Sequence, residues 1–200
     1  MTLETKKSVF VALGKFLKQF SESNTIKNSN VLNNDLFFDD CIKLIHLSQS
    51  HNGWYTPEQV YFSLQSWAEA LSEENLDEWI SSYDFNIVTP KNIALILAGN
   101  IPLVGFHDFL SVLISGHNVL VKTSSNDQHL LPFLAKYIIA IEPEFANKTP
   151  VKPPIVNKKI NPNTNNIGVV KRNDPPHIVA IQLKILIPVG TAIIIVAAVK

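Results

Sequence analysis

The chain has 200 residues, 46% hydrophobic and 17% charged, a composition that buries a core and excludes disorder of the chain as a whole. Its 17 Lys+Arg balance 17 Asp+Glu, so no overall basic field exists and general nucleic-acid binding is excluded. Cys41 is the single cysteine, which excludes an internal disulfide framework and a Cys-rich zinc site.

The opening residues, MTLETKKSVFVALGKF, lack a long apolar run followed by small cleavage-site residues, so a cytoplasmic setting is expected. Residues 5–20 place Val9, Ala12, Leu13, Phe16, Leu17 and Phe20 at i, i+3, i+4 spacing, one apolar helix face with lysines on the other side. Asn34 and Asp35 precede a second helix, LFFDDCIKLIHLS, in which Cys41 and His46 fall near apolar neighbours. A lone cysteine there reads as a small core residue. A third helix begins at Thr56 as N-cap, with Pro57 at the first helical position and Gln59 completing a capping box. Its inner face is Val60, Leu64, Trp67, Ala68 and Leu71, and Ser72 with Asn75 repeats the device before ENLDEWISSY. Trp54, Trp67 and Trp79 are expected to pack in the core, with a stacking platform for a sugar or base as the sharper alternative. Residues 1–85 form the helical region of this reading.

Residues 86–147 read as an α/β unit. NIALILAG, bounded by Pro90 and Gly99, is a continuous apolar run that predicts a strand buried on both faces. A turn and helix follow over NIPLVGFHDFLSVLISG, with Gly116 at the helix C-terminus, and NVLVK is the second strand. The sequence SSNDQHLLPFLAKYIIAIEP predicts a further helix covering the sheet. The expected fold class is therefore α/β, helices first and then a partial nucleotide-binding βαβ unit.

The chain then changes character. Residues 1–147 carry 9 Lys and 16 Asp+Glu, a balance of −7, whereas residues 148–200 carry 8 Lys+Arg and only Asp174, a balance of +7. All aromatic residues lie at or before Phe145. Residues 148–177 alternate Pro, Asn and Lys without period and read as linker or disorder. Residues 178–200 are apolar, but Gln182, Lys184, Pro188 and Gly190 interrupt them, so a β-rich segment is expected rather than a membrane span.

Ligands of open α/β sheets settle outside the carboxyl ends of the strands. Two loops meet that condition: Ala98-Gly99-Asn100-Ile101-Pro102, and Lys122-Thr123-Ser124-Ser125-Asn126-Asp127. Gly99 allows close backbone approach, and the Asn100 amide can donate to a developing oxyanion. Lys122 and the hydroxyls of Ser124 and Ser125 suit ribose or phosphate, although Lys followed by Ser-Ser-Asn-Asp is also an ordinary helix start. Neither the G-x-G-x-x-G nor the P-loop pattern occurs. His46, His51, His107, His117, His129 and His177 form no metal-binding pair of the H-E-x-x-H kind, and no metal site is expected. His107, beginning the helix beside Asp108, is a candidate for the border of the cleft.

The run IALILAGNIPLVGFHDFLSVLISGHNVLVKTSSND resembles the start of the cofactor domain of the aldehyde dehydrogenase superfamily. Together with HNGWYTPEQVYFSLQSWAEAL and the sequence through LPFLAKYI, it is similar to acyl-CoA reductases of the bioluminescence fatty acid reductase (LuxC) type over residues 7–147. The resemblance implies NADPH-dependent reduction of a fatty acyl-CoA or acyl-protein thioester to an aldehyde, through an acyl-enzyme on a cysteine. It implies that Asn100 is the oxyanion-hole amide and that backbone at Ala98 and Gly99 faces the nicotinamide half of the cofactor. Lys122, with Ser124 and Ser125, would meet the adenosine ribose or its 2′-phosphate. Ser125 stands where many relatives carry an acid, which suits NADPH. No cysteine follows Cys41, so the expectation is the N-terminal portion of such a reductase joined to unrelated sequence and inactive alone. A non-catalytic nucleotide- or partner-binding module is the alternative.

Overall fold

The computed structural model describes residues 1–85, 88–149, 151–152 and 193–195; the expectations for 153–192 and 196–200 lie outside them. Helix α1 (Leu3–Leu17) starts where the Thr2 hydroxyl accepts from the Thr5 N–H. It buries Val9, Leu13, Phe16 and Leu17, together with Phe10. Lys6, expected on the wet side, is buried as well, and its Nζ donates to the Ile114 carbonyl at 2.8 Å. The buried ammonium thus meets the negative end of another helix, an arrangement that compensates part of its lost hydration.

Helix α2 (Asn34–His51) buries Phe38, Cys41 and Ile45, whereas His46 faces solvent, contrary to its expected apolar setting. Helix α3 (Pro57–Ala70) begins as its sequence dictates, with the Thr56 side chain accepting from the Gln59 N–H and Pro57 in the first turn. In α4 (Glu73–Ser81) the Ser72 side chain accepts from the Asn75 N–H. The Asn75 amide does not close a capping box; it donates to the Glu69 carbonyl at 2.8 Å. Trp54 is 80% exposed and is no core residue, because it sits in the turn after α2. Trp67 and Trp79 are half-buried.

Strand β1 (Asn92–Ile96), helix α5 (Phe106–Ile114) and strand β2 (Asn118–Lys122) form the expected strand–helix–strand unit, and the strands are parallel. Helix α5 ends in a Schellman motif: Gly116 adopts φ +91°, and the N–H groups of Gly116 and His117 reach the Leu113 and Val112 carbonyls. Helix α6 (Leu130–Ile141) and a 3₁₀ turn (Pro143–Asn147) follow. Strand β3 (Val151–Lys152) then pairs in parallel with β2, and β4 (Ile193–Ile195) pairs antiparallel with β1, giving the order β3-β2-β1-β4. Lys148, Val151 and Lys152, read as the start of a linker, thus continue the fold, since Val151 and Lys152 pair with β2 and the Val119 N–H donates to the Lys148 carbonyl at 2.8 Å.

β1 is not buried on both faces. Ile93, Leu95, Val119 and Val121 are buried on one side, while Ile96 and Leu120 on the other are 46% and 41% exposed. The topology accounts for this, since β1, β2 and β3 step in one direction across the sheet and crossovers of one hand put their helices on one face. Helix α5 packs on the strands, whereas α6 packs chiefly on α1 and the 3₁₀ turn. The helices and the inner sheet face share one core, with Phe16 stacked on Tyr137 at 4.2 Å and Phe10 edge-on to Phe145 at 6.0 Å.

Candidate functional site

Because Ile96 lies opposite Lys122 in the parallel register, the two strands end level with each other. The Leu97 N–H continues the pairing, donating to the Lys122 carbonyl at 3.0 Å. The loops 97–105 and 123–129 therefore emerge side by side at the carboxyl edge. They touch closely: a Cβ added at Gly99 would lie 2.6 Å from both Cβ and Oγ of Ser124. The missing side chain of Gly99 thus lets one loop pack on the other, a use that the sequence reading had given to a ligand.

Residues from the helical region hold the loops in place. Asn52, which follows α2, donates from Nδ2 to the Gly99 carbonyl at 3.0 Å and to the Asn126 carbonyl at 3.3 Å. The Tyr55 hydroxyl donates to the Ile101 carbonyl at 3.0 Å, and Ser63 Oγ donates to the Pro102 carbonyl at 2.9 Å. The buried Asp127 carboxyl accepts from the backbone N–H groups of Leu103, His129 and Leu130 and lies within hydrogen-bond reach of the Tyr55 hydroxyl. Burial raises its pKa despite those donors. Leu103 adopts φ +59°, a left-handed conformation costing an L-residue about 1 kcal/mol or more; its N–H bond to Asp127 helps to hold it there.

The predicted site residues divide by environment. Lys122 and Ser125 are exposed, and Lys122 makes no ion pair among the described residues. Ala98 is half-buried. Ser124 is half-buried too, and its hydroxyl accepts from the Asn126 N–H at 3.2 Å, so it serves the loop itself. The buried Asn100 Oδ1 and the buried Thr123 hydroxyl have no hydrogen-bond partner among the described residues. Such orphaned atoms are uncommon in folded proteins. Since the two ends of an amide are assigned from their partners, the physical point is that one end of Asn100 is buried and unmatched.

His107 lies elsewhere, with Trp67, Trp79 and Leu110 around a separate pocket. A second histidine feature flanks the loops, where the His51 and His129 rings lie 4.2 Å apart. Burial and the neighbouring His51 lower the His129 pKa. Cys41 is buried in α2, and burial pushes its thiol pKa up, so the thiolate a nucleophile needs is disfavoured. Among the described residues no group of three His, Cys, Asp or Glu could hold a metal ion, and no helix is long and apolar enough to cross a membrane.

Asn52, Tyr55, Ser63 and Asp127 were not singled out from the sequence. The Asn52-Gly53 pair marks a turn, but nothing local reveals that its amide bridges carbonyls far along the chain. The two strands and their adjoining loops bring an amide, an ammonium and a hydroxyl to one edge of the sheet, and among the described residues no activated thiol accompanies them.

A family model described as acyl-CoA reductase (LuxC) matches residues 42–156. This span takes in α2 from its middle, all the elements from α3 to β3 and both loops; it begins later than residue 7 and extends beyond residue 147. Neither the curated proteins nor the solved structures contain a match.

Proposed function

The chain belongs to the LuxC acyl-CoA reductase family, and on that premise we propose that its paired loops form half of an NADPH site serving reduction of an acyl thioester. The carrying observation is the register that sets Ile96 opposite Lys122, so that the Asn100 and Lys122 loops share one edge. The unmatched buried end of Asn100, with the exposed Lys122 and Ser125, fits a polar cofactor at this edge. Lys122 would bind the ribose or 2′-phosphate by charge, and Ser125, lacking a carboxylate, would not repel that phosphate. Ser124 would hold the loop, and the backbone of Ala98 and Gly99 would line the nicotinamide side. The Asn100 amide would donate to the thioester carbonyl oxygen as charge develops there. When bound, NADPH supplies the hydride that takes the acyl group to the aldehyde.

The nucleophile is a separate matter. Cys41 is the only cysteine of the 200 residues, and a buried thiol with a raised pKa does not attack a thioester. The reading is therefore a cytoplasmic, aldehyde-dehydrogenase-like cofactor unit that by itself binds nucleotide without turnover.

Calorimetry with NADPH and NADH, followed by an NADPH-oxidation assay with a long-chain acyl-CoA, tests this reading. Saturable NADPH binding is expected, weakened about tenfold or more in Lys122→Ala and less affected for NADH, with no oxidation of NADPH. Absence of binding defeats the cofactor site; oxidation that depends on the thioester defeats the claim of inactivity.

A further inference from the structure

A second cavity, of about 330 Å³, lies between α3, α4 and α5. Leu76 and Leu110 are its buried apolar residues; Trp67 and Trp79 are half-buried, and Ala70 stands exposed at the rim. Among the described residues its lining carries no Asp, Glu, Lys or Arg, and its polar groups are the Asn75 amide, the His107 imidazole and the indole N–H groups of the two tryptophans. Trp67 is braced edge-on by Phe106, with ring centroids 4.7 Å apart, and Trp79 lies 5.8 Å from His107. A small cavity walled by aromatic and aliphatic groups with few polar ones is the usual form of a small-molecule site.

Its position links it to the paired loops. Ser63, Trp67 and Ala70 follow one another along one side of α3, and Ser63 holds the Pro102 carbonyl of the Asn100 loop. The cavity thus begins about one helical turn, roughly 5.4 Å, from that anchor. The same loop runs directly into α5, which supplies His107 and Leu110 to the opposite wall. We propose that this cavity holds the alkyl chain of the acyl substrate, leaving its polar end toward the Asn100 loop. The proposal rests on the thioester reading above for the identity of the occupant. The absence of charged lining selects an uncharged apolar group, and the opening to solvent suits a tail whose head remains outside.

A homologous series of n-alkanols from butanol to decanol, titrated into the full chain, probes the cavity without requiring turnover. Tryptophan emission is the readout in a Trp54→Phe background, which removes the exposed indole and leaves Trp67 and Trp79. Affinity is expected to rise by up to about fourfold per methylene, the equivalent of about 0.8 kcal/mol, and then level off as the cavity fills. Ala70→Phe, which fills the rim from an exposed position, is expected to weaken decanol binding at least about tenfold without moving the urea midpoint. A flat series, or equal binding by Ala70→Phe, overturns the proposal. NADPH titration of the same preparation separates the two readings. Alkanol binding without NADPH binding defeats the cofactor site and keeps the apolar cavity, whereas NADPH binding with a flat alkanol series defeats the cavity alone.

Discussion

Asn52 uses both hydrogens of one amide on carbonyls that belong to different loops, Gly99 and Asn126, and its Oδ1 accepts from the Trp54 N–H at 3.1 Å. Little of its hydrogen-bonding capacity remains for water, so it acts as a fastener. Replacing it by alanine leaves the buried Gly99 carbonyl without this donor, which costs about 1–3 kcal/mol. Asn52→Ala is therefore expected to lower the urea midpoint and to weaken NADPH binding, because the gap between the loops is no longer fixed. Chemical denaturation and calorimetry read both effects; unchanged values in both would show that the loops hold themselves. This residue also marks the limit of what the sequence discloses. Thr56 was legible because its cap reaches only three residues, to Gln59, whereas Asn52 reaches 47 residues to Gly99. Asn100 and Lys122 were legible because strand ends and loop chemistry are local patterns. The Asp127 carboxyl was legible only as part of a local helix start beside His129 and Leu130, since Leu103 and Tyr55 become its neighbours only in the folded chain.

Between elements, the closest fit joins α1 to the end of α3. A Cβ added at Gly14 would lie 2.8 Å from Leu71 Cβ and 3.0 Å from the Leu71 carbonyl oxygen. Alanine usually favours a helix over glycine by roughly 0.5–1 kcal/mol, yet here it forces the two backbones apart. Gly14→Ala is expected to destabilise the protein by about 1–3 kcal/mol, measured by thermal or urea unfolding; a gain in stability would mean that the contact yields cheaply. Helical periodicity disclosed the inner face of α1 but not Lys6, whose burial depends on the Ile114 carbonyl at the end of α5. The continuous apolar run of β1 likewise named a strand correctly and its surroundings incorrectly. Hydropathy measures what a strand tolerates, while the direction in which the crossovers step decides which face is covered.

For the molecule as a whole, helical region and sheet are not separable pieces. The single core spans them, Tyr137 donates to the Leu32 carbonyl at 2.8 Å, and Asn52 and Tyr55 just after α2, with Ser63 within α3, fasten the loops at the strand ends. A fragment of residues 86–152 is therefore expected to lack a cooperative unfolding transition, since its inner surfaces lose α1 and α3. Circular dichroism during urea titration checks this, and a sharp sigmoidal transition would establish an autonomous unit. The interlock between α1 and the end of α5 also bears on biosynthesis. Lys6 finds its acceptor 108 residues downstream, so at elongation rates of 5–20 residues per second it waits roughly 5–20 s for its partner to emerge from the ribosome. Throughout that interval the Lys6 ammonium of the nascent first helix lacks its acceptor, and Phe10 waits longer still for Phe145, a demand for chaperone occupancy written into the order of translation.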